Sequence, residues 1–182
     1  MEQTTDLFIG QLRKGDRTAC QRLVNGYGPA VFRLVHRIVE RQEDAEEVWQ
    51  DVFVKALRGI GGYDSRKASL ATWLCRIAYH ESVNFVRRRQ PDIIYMDEHD
   101  LGLNSLDETL EDETTDSHTV QALEEALEML PPHEQAVITM FYYDNMSLAD
   151  IAYVTGSIPS TVGSQLSRIR KKLYKMIKAM HP

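Results

Sequence analysis

Apolar residues recur every three or four positions through most of this chain, and period-two alternation is nearly absent. That spacing gathers apolar side chains on one side of a helix, whereas a half-buried strand needs every second position. The chain is therefore restricted to packed helices. Ala45, Val48, Trp49, Val52, Phe53, Ala56 and Leu57 form the strongest stripe and predict a helix over Gln42 to Arg58. Val31, Leu34, Val35 and Ile38 predict one over Ala30 to Glu40, after a break at Gly26, Gly28 and Pro29. Trp73, Leu74, Ile77, Ala78 and Phe85 predict a long helix over Leu70 to Arg89. Shorter helices are expected over Asp6 to Lys14 and, capped by Asp16, over Arg17 to Asn25. The C-terminal part predicts helices over Val120 to Met129, His133 to Tyr143, Leu148 to Val154 and Pro159 to Met180.

Charge divides this all-α chain into parts. The whole has 21 basic and 27 acidic side chains, a formal net charge of −6. Residues 1–90 carry 15 basic and 11 acidic groups, residues 91–130 none and 13, and residues 131–182 six and three. From Pro91 to His118 there is no Lys or Arg. Such a block fits a solvated linker better than a core. The expected organisation is two small helical domains, 1–90 and 119–182, joined by an acidic flexible linker over 91–118. In the free chain this linker is either a solvated spacer or a segment that folds back over the nearest cations, Arg87–Arg89 and the Arg168–Lys178 stripe.

Three polar surfaces are candidates for function. Ser147 to Leu166 has the pattern of a helix-turn-helix: Ser147 as first cap, Ile151 and Ala152 at the helix contact, Gly156 in the turn, and Pro159 opening the second helix. Val162, Leu166, Ile169 and Leu173 then face inward. The outward face carries Ser160, Thr161, Ser164, Gln165 and Arg168, followed by Arg170, Lys171 and Lys172. Early polar residues suit base edges in a major groove, and the later cations suit phosphates. In the 70–89 helix, Arg76, His80, Asn84 and Arg87 or Arg88 share an edge, with Tyr79 beside it. Aromatic groups among cations suit unstacked bases, while a solvated helix with a dipole-favoured basic end has the same pattern. Asp44, Glu47, Gln50, Asp51 and Lys55 form a mixed acidic edge, either plain solvated surface or a docking face for a basic protein.

Other functions find little support. Cys20 and Cys75 stand apart with no Cys-x-x-Cys pair, which argues against a disulfide framework or a cysteine zinc site. The six histidines show no His-x-x-x-His or Glu-x-x-His spacing, and no phosphate-cradling Gly loop is present, so neither enzyme, metal nor cofactor is expected. No apolar stretch approaches the ~20 residues of a membrane span, and the N-terminus lacks a signal-peptide pattern, so a cytoplasmic protein is expected.

Five segments, in order, resemble one family. Asp44-Ala-Glu-Glu-Val-Trp-Gln-Asp-Val-Phe-Val-Lys-Ala-Leu resembles region 2.2 of bacterial sigma factors. The run from Thr72 to Arg89 resembles regions 2.3 and 2.4. Leu130 to Val137, Ser147 to Ala152 and Thr161 to Leu173 are similar to region 4. Their order and spacing point to the extracytoplasmic-function type. The resemblance implies a dissociable promoter-specificity subunit of RNA polymerase, with core polymerase and promoter DNA as partners and a dedicated anti-sigma factor expected. It implies that Asp44, Glu47, Gln50 and Asp51 help dock the polymerase clamp. It further implies that the loop Tyr63 to Ser69, with Arg76, Tyr79, His80 and Asn84, reads and opens the −10 element. The helix from Pro159 would read the −35 element. The family usually has Asn where this chain has His80, and basic residues where it has Gly163 and Gln165, which predicts a weaker, less salt-sensitive −35 contact. The alternative is a stand-alone helix-turn-helix regulator, which would bind duplex DNA without polymerase.

Overall fold

The computed structural model describes the backbone of residues 2–89 and 117–180, and the side chains of 6–89 and 121–180. The expected linker therefore falls, except for its last two positions, outside the described residues, as does its folding back over basic faces. The elements are α1 (Glu2–Arg13), α2 (Arg17–Ile38), α3 (Gln42–Gly59), α4 (Leu70–Arg89), α5 (Ser117–Glu128), α6 (Pro132–Ile138), α7 (Leu148–Thr155) and α8 (Pro159–Met180). A 3₁₀ turn, Ile60–Gly62, follows α3, and a π turn, Thr139–Tyr143, continues α6. No strand occurs among the described residues.

Local chemistry accounts for most boundaries. Asp16 caps α2 by accepting from the Ala19 amide at 2.8 Å. Ser69 Oγ accepts from the Thr72 amide at 3.1 Å at the start of α4. Ser147 Oγ does the same for Asp150 at α7, again at 3.1 Å. Gly156 ends α7 with φ of 79°, a left-handed conformation that a side chain resists.

One boundary differs from expectation: α2 runs unbroken through Gly26, Gly28 and Pro29. A proline ring removes a helix donor and crowds the residue before it. Here that residue is Gly28, which has no Cβ. The vacant space is filled by α3: a Cβ at Gly28 would lie 3.2 Å from Trp49 Cζ2, and Trp49 Nε1 donates to the Gly28 carbonyl at 3.0 Å. Packing against α3 thus overrides the local punctuation.

Helices α2, α3 and α4 pack on one another around Leu23, Leu34, Val52 and Leu74, all fully buried. A second unit forms where α8 buries Val162, Leu166, Ile169 and Leu173 against α5, α6 and α7. The two helical units touch. Helix α7 packs on α4 and α6 packs on α2, so the buried apolar residues form one continuous cluster from Ile9 to Leu173.

Candidate nucleic-acid interface

The α3 edge comes from the helix's amphipathic period. With Ala45, Val48, Val52 and Ala56 turned inward, Glu47, Gln50 and Asp51 are left exposed. Asp44 is not part of this open edge. It is only 9% exposed, and its carboxylate takes Arg89 Nη1 of α4 at 2.5 Å and lies 3.9 Å from Arg41 Nε. Lys55 is exposed but pairs with Glu81 of α4. Beside the edge, Val24, Asn25, Gly28, Pro29, Phe32, Glu46 and Trp49 line an open, largely apolar groove of about 570 Å³ between α2 and α3. The groove went unseen in the sequence because its walls come from two helices, one of which was expected to be broken there.

The loop before α4 is internally tied. Tyr63 is buried at 6% exposure, its ring centroid 5.4 Å from that of Trp73 and its hydroxyl donating to the Ala68 carbonyl at 3.1 Å. Desolvation raises the Tyr63 phenol above its ordinary value. In the loop itself, Arg66 folds onto Asp64 with contacts of 3.0 and 2.9 Å and lowers that carboxyl to about 2. Ser69 stays exposed while capping α4.

Along α4, Arg76, Tyr79, His80 and Asn84 are half-buried, while Arg87 and Arg88 are exposed. Arg87 donates to Asn84 Oδ1 at 3.0 Å. The Tyr79 and His80 rings stand edge to face, 5.5 Å apart. Arg76 lies 4.7 Å over the Tyr153 ring of α7 and donates to the Tyr153 carbonyl. His80 Nε2 is buried without a hydrogen-bond partner. Burial first, then repulsion from Arg76, lowers the His80 pKa below 6.5; the Val154 carbonyl and Glu81 pull the other way. The structure thus gathers the predicted α4 residues on one face and sets α7 against it.

On α8, Ser160, Ser164 and Arg168 are exposed, with Thr161 and Gln165 half-buried between them over the apolar stripe. Two of the predicted cations turn back onto their own unit. Arg170 Nε donates to Tyr142 Oη at 2.8 Å, and Lys172 meets Glu134 at 2.9 Å. Lys171 is exposed and makes contacts of its own. Gly163 faces Leu148, and a Cβ there would lie an unstrained 3.7 Å from Leu148 Cδ1. No cluster of three or more metal-ligating side chains occurs among the described residues. No described helix is long and apolar enough to cross a membrane.

Known proteins share this organisation. Residues 23–91 match the model of sigma-70 region 2, and residues 120–173 match that of sigma-70 region 4. The ECF RNA polymerase sigma-E factor of Haemophilus influenzae is 31% identical over 98% of each chain. The ECF RNA polymerase sigma factor SigW of Bacillus subtilis is 27% identical over 98% of this chain and 99% of its own. Among solved structures, CnrH in complex with the cytosolic domain of CnrY is 21% identical, with a TM-score of 0.67 and coverage of 95% and 96%. The sigma factor RpoE of Bartonella quintana, in complex with the anti-sigma factor NepR, is 22% identical, with a TM-score of 0.63 and coverage of 87% and 96%. These two likenesses concern the fold.

Proposed function

The chain belongs to the sigma-70 family, in its extracytoplasmic-function branch, and from that premise we propose how its surfaces divide the work of a promoter-specificity subunit. As a sigma factor it binds core RNA polymerase and directs transcription from particular promoters. Such factors select and open the promoter without catalysing a reaction of their own. The division of labour rests on one observation above all: three polar faces stand on three separate amphipathic helices, each anchored by its own buried stripe.

The exposed acidic edge Glu47, Gln50 and Asp51 docks a basic surface of the polymerase, and the Phe32–Trp49 groove beside it supplies an apolar anchor. Charge complementarity sets approach and register, while the aromatic pocket supplies burial. Asp44 supports this edge through Arg89 rather than joining it. On α4, Arg76, Tyr79, His80 and Asn84 meet the −10 bases as they leave the stack, and Arg87 and Arg88 take phosphates. Tyr63 acts from beneath by holding the preceding loop against Trp73, which leaves Ser69 at the surface. On α8, Ser160, Thr161, Ser164, Gln165 and Arg168 read the −35 duplex. Lys171 serves the phosphates, with Arg170 and Lys172 joining once they leave Tyr142 and Glu134.

Work of this kind places the protein in the cytoplasm with the polymerase. An anti-sigma partner is part of the reading, supported by the Bartonella relative's solved complex with NepR. The test is run-off transcription on a promoter library with core polymerase, with and without this protein. Promoter-selective transcripts that need both components support the reading. Sequence-specific duplex binding without polymerase, and no added transcripts with it, would instead make the chain a stand-alone regulator.

A further inference from the structure

Helix α4 ends in three consecutive arginines, and one of them is committed inside the protein. Arg89 Nη1 donates to Asp44 Oδ2 of α3 at 2.5 Å, and its guanidinium carbon lies 4.7 Å over the Phe85 ring. A carboxylate and an aromatic face together hold that fork. Asp44 is well placed to do so. It stands in the first turn of α3, where the helix dipole favours a negative charge, and Arg41 Nε lies 3.9 Å from it. Arg87 and Arg88 are bonded within their own turn instead. Arg87 donates to Asn84 Oδ1 at 3.0 Å, and Arg88 Nε donates to the Asn84 carbonyl at 3.3 Å. Among the described residues, Arg89 is the one of the three that bonds to another helix.

The last turn of a helix has carbonyls without intrahelical donors and frays readily. Pro91, two positions on, is a residue that ends helices rather than extending them. A cation on a frayed turn must be ordered when it meets a phosphate, and that ordering subtracts from binding. The bond from Arg89 to α3 sets the turn beforehand, with Arg87 and Arg88 exposed on it.

We propose that Asp44 is a positioning residue for DNA: through Arg89 it fixes the last turn of α4, so that Arg87 and Arg88 meet the phosphates of the opened strand in a preset geometry. This deepens the sigma-factor reading and rests on its assignment of Arg87 and Arg88 to phosphates. Asp44 thereby moves from the docking edge, where the family resemblance puts it, to the DNA side of the same unit. Charge and position predict opposite signs here. A carboxylate near a DNA-binding face repels phosphates, so on charge alone Asp44→Asn would tighten binding. Loss of positioning weakens it.

The experiment uses the full chain and a fluorescent pool of random-sequence single-stranded DNA, with binding followed by anisotropy across a salt series. Asp44→Asn should bind about sevenfold more weakly than the parent at about 50 mM salt, the gap nearly closing by about 200 mM, as expected for two lost phosphate contacts of slope about −0.7 each. Asp44→Glu keeps the carboxylate and should keep most of the parent's affinity. Hydrogen exchange at the Arg87, Arg88 and Arg89 amides should quicken in Asp44→Asn and not in Asp44→Glu. Arg87→Ala with Arg88→Ala should show the same loss of affinity, and adding Asp44→Asn to that pair should weaken binding no further. Unchanged or tighter binding by Asp44→Asn overturns the proposal, as does a loss that adds in full to that of the arginine pair. The pair also separates the two possible failures. If removing both arginines changes nothing, the phosphate assignment of the sigma-factor reading falls and the positioning role falls with it. If their removal weakens binding and Asp44→Asn does not, only the positioning role is rejected.

Discussion

Asp44 and Asp51 stand two turns apart on α3 and carry the same charge, yet their surroundings give them different work. Asp44 is tucked under Arg89, so its removal leaves a half-exposed guanidinium without its partner. Because Arg89 still reaches water, the cost of Asp44→Asn should be only about 1 kcal/mol by urea unfolding. Capture by immobilised core polymerase should be nearly unchanged. Asp51 is exposed, so Asp51→Arg should leave stability alone and weaken capture. Equal losses of capture from the two variants, both folded, would return Asp44 to the docking edge. His80 gives a pH prediction at the same scale. Its folded-state pKa lies below 6.5, so the unfolded chain takes up the proton first as pH falls. This site costs the folded state nothing above about pH 6.5 and progressively more below it. Parent and His80→Asn should therefore run parallel at neutral pH, the parent losing ground at about pH 5.5 in chemical unfolding. Two curves that stay parallel to that pH would mean the imidazole is not desolvated.

At the scale of the element, one substitution should act with opposite signs at two glycines of the helix-turn-helix. Gly156 holds φ of 79°, so Gly156→Ala should cost about 1–2 kcal/mol. Gly163 has ordinary helical geometry, and a Cβ there would make an ordinary contact with Leu148, so Gly163→Ala should gain up to about 1 kcal/mol. Thermal unfolding of both variants checks the pair, and a shift of the same sign in each would contradict the backbone assignment. Both glycines were readable in advance, since a turn glycine between two caps and a glycine amid helix-formers are local features. So were Asp16 and Ser147, whose capping bonds span three residues. The unbroken α2 was not. Gly28-Pro29 read alone signals a break, and the reason it is tolerated is an indole 21 positions away in the chain. The seat of the Tyr63 ring was equally illegible. It sits in a loop by its sequence, and only the folded chain brings Trp73 and the Ala68 carbonyl to bury it.

Across the whole molecule, what escaped the sequence is the meeting of the two units. Periodicity marks which side of a helix is apolar, but the α4–α7 contact is made largely by Thr72, Arg76, Asp150 and Tyr153, residues that look solvated or DNA-facing when each helix is read alone. The composition offers a direct test of how strongly the units are coupled. Both tryptophans, Trp49 and Trp73, lie in the first unit, so their fluorescence reports on that unit by itself. Gly156→Ala strains only the second unit, at a site far along the chain from either indole. If the continuous core and the Arg33–Asp144 pair make the units unfold together, the strain should lower the melting temperature seen by tryptophan fluorescence as much as that seen by far-ultraviolet circular dichroism. Independent units would melt differently: the dichroism would show an early, separate loss of helix while the tryptophan transition stayed at the parent temperature. Adding Arg33→Glu to Gly156→Ala should convert the first behaviour toward the second, because it removes a contact between the units while leaving α7 and α8 untouched. A tryptophan transition that ignores Gly156→Ala in the otherwise native chain would mean the two units touch without sharing stability.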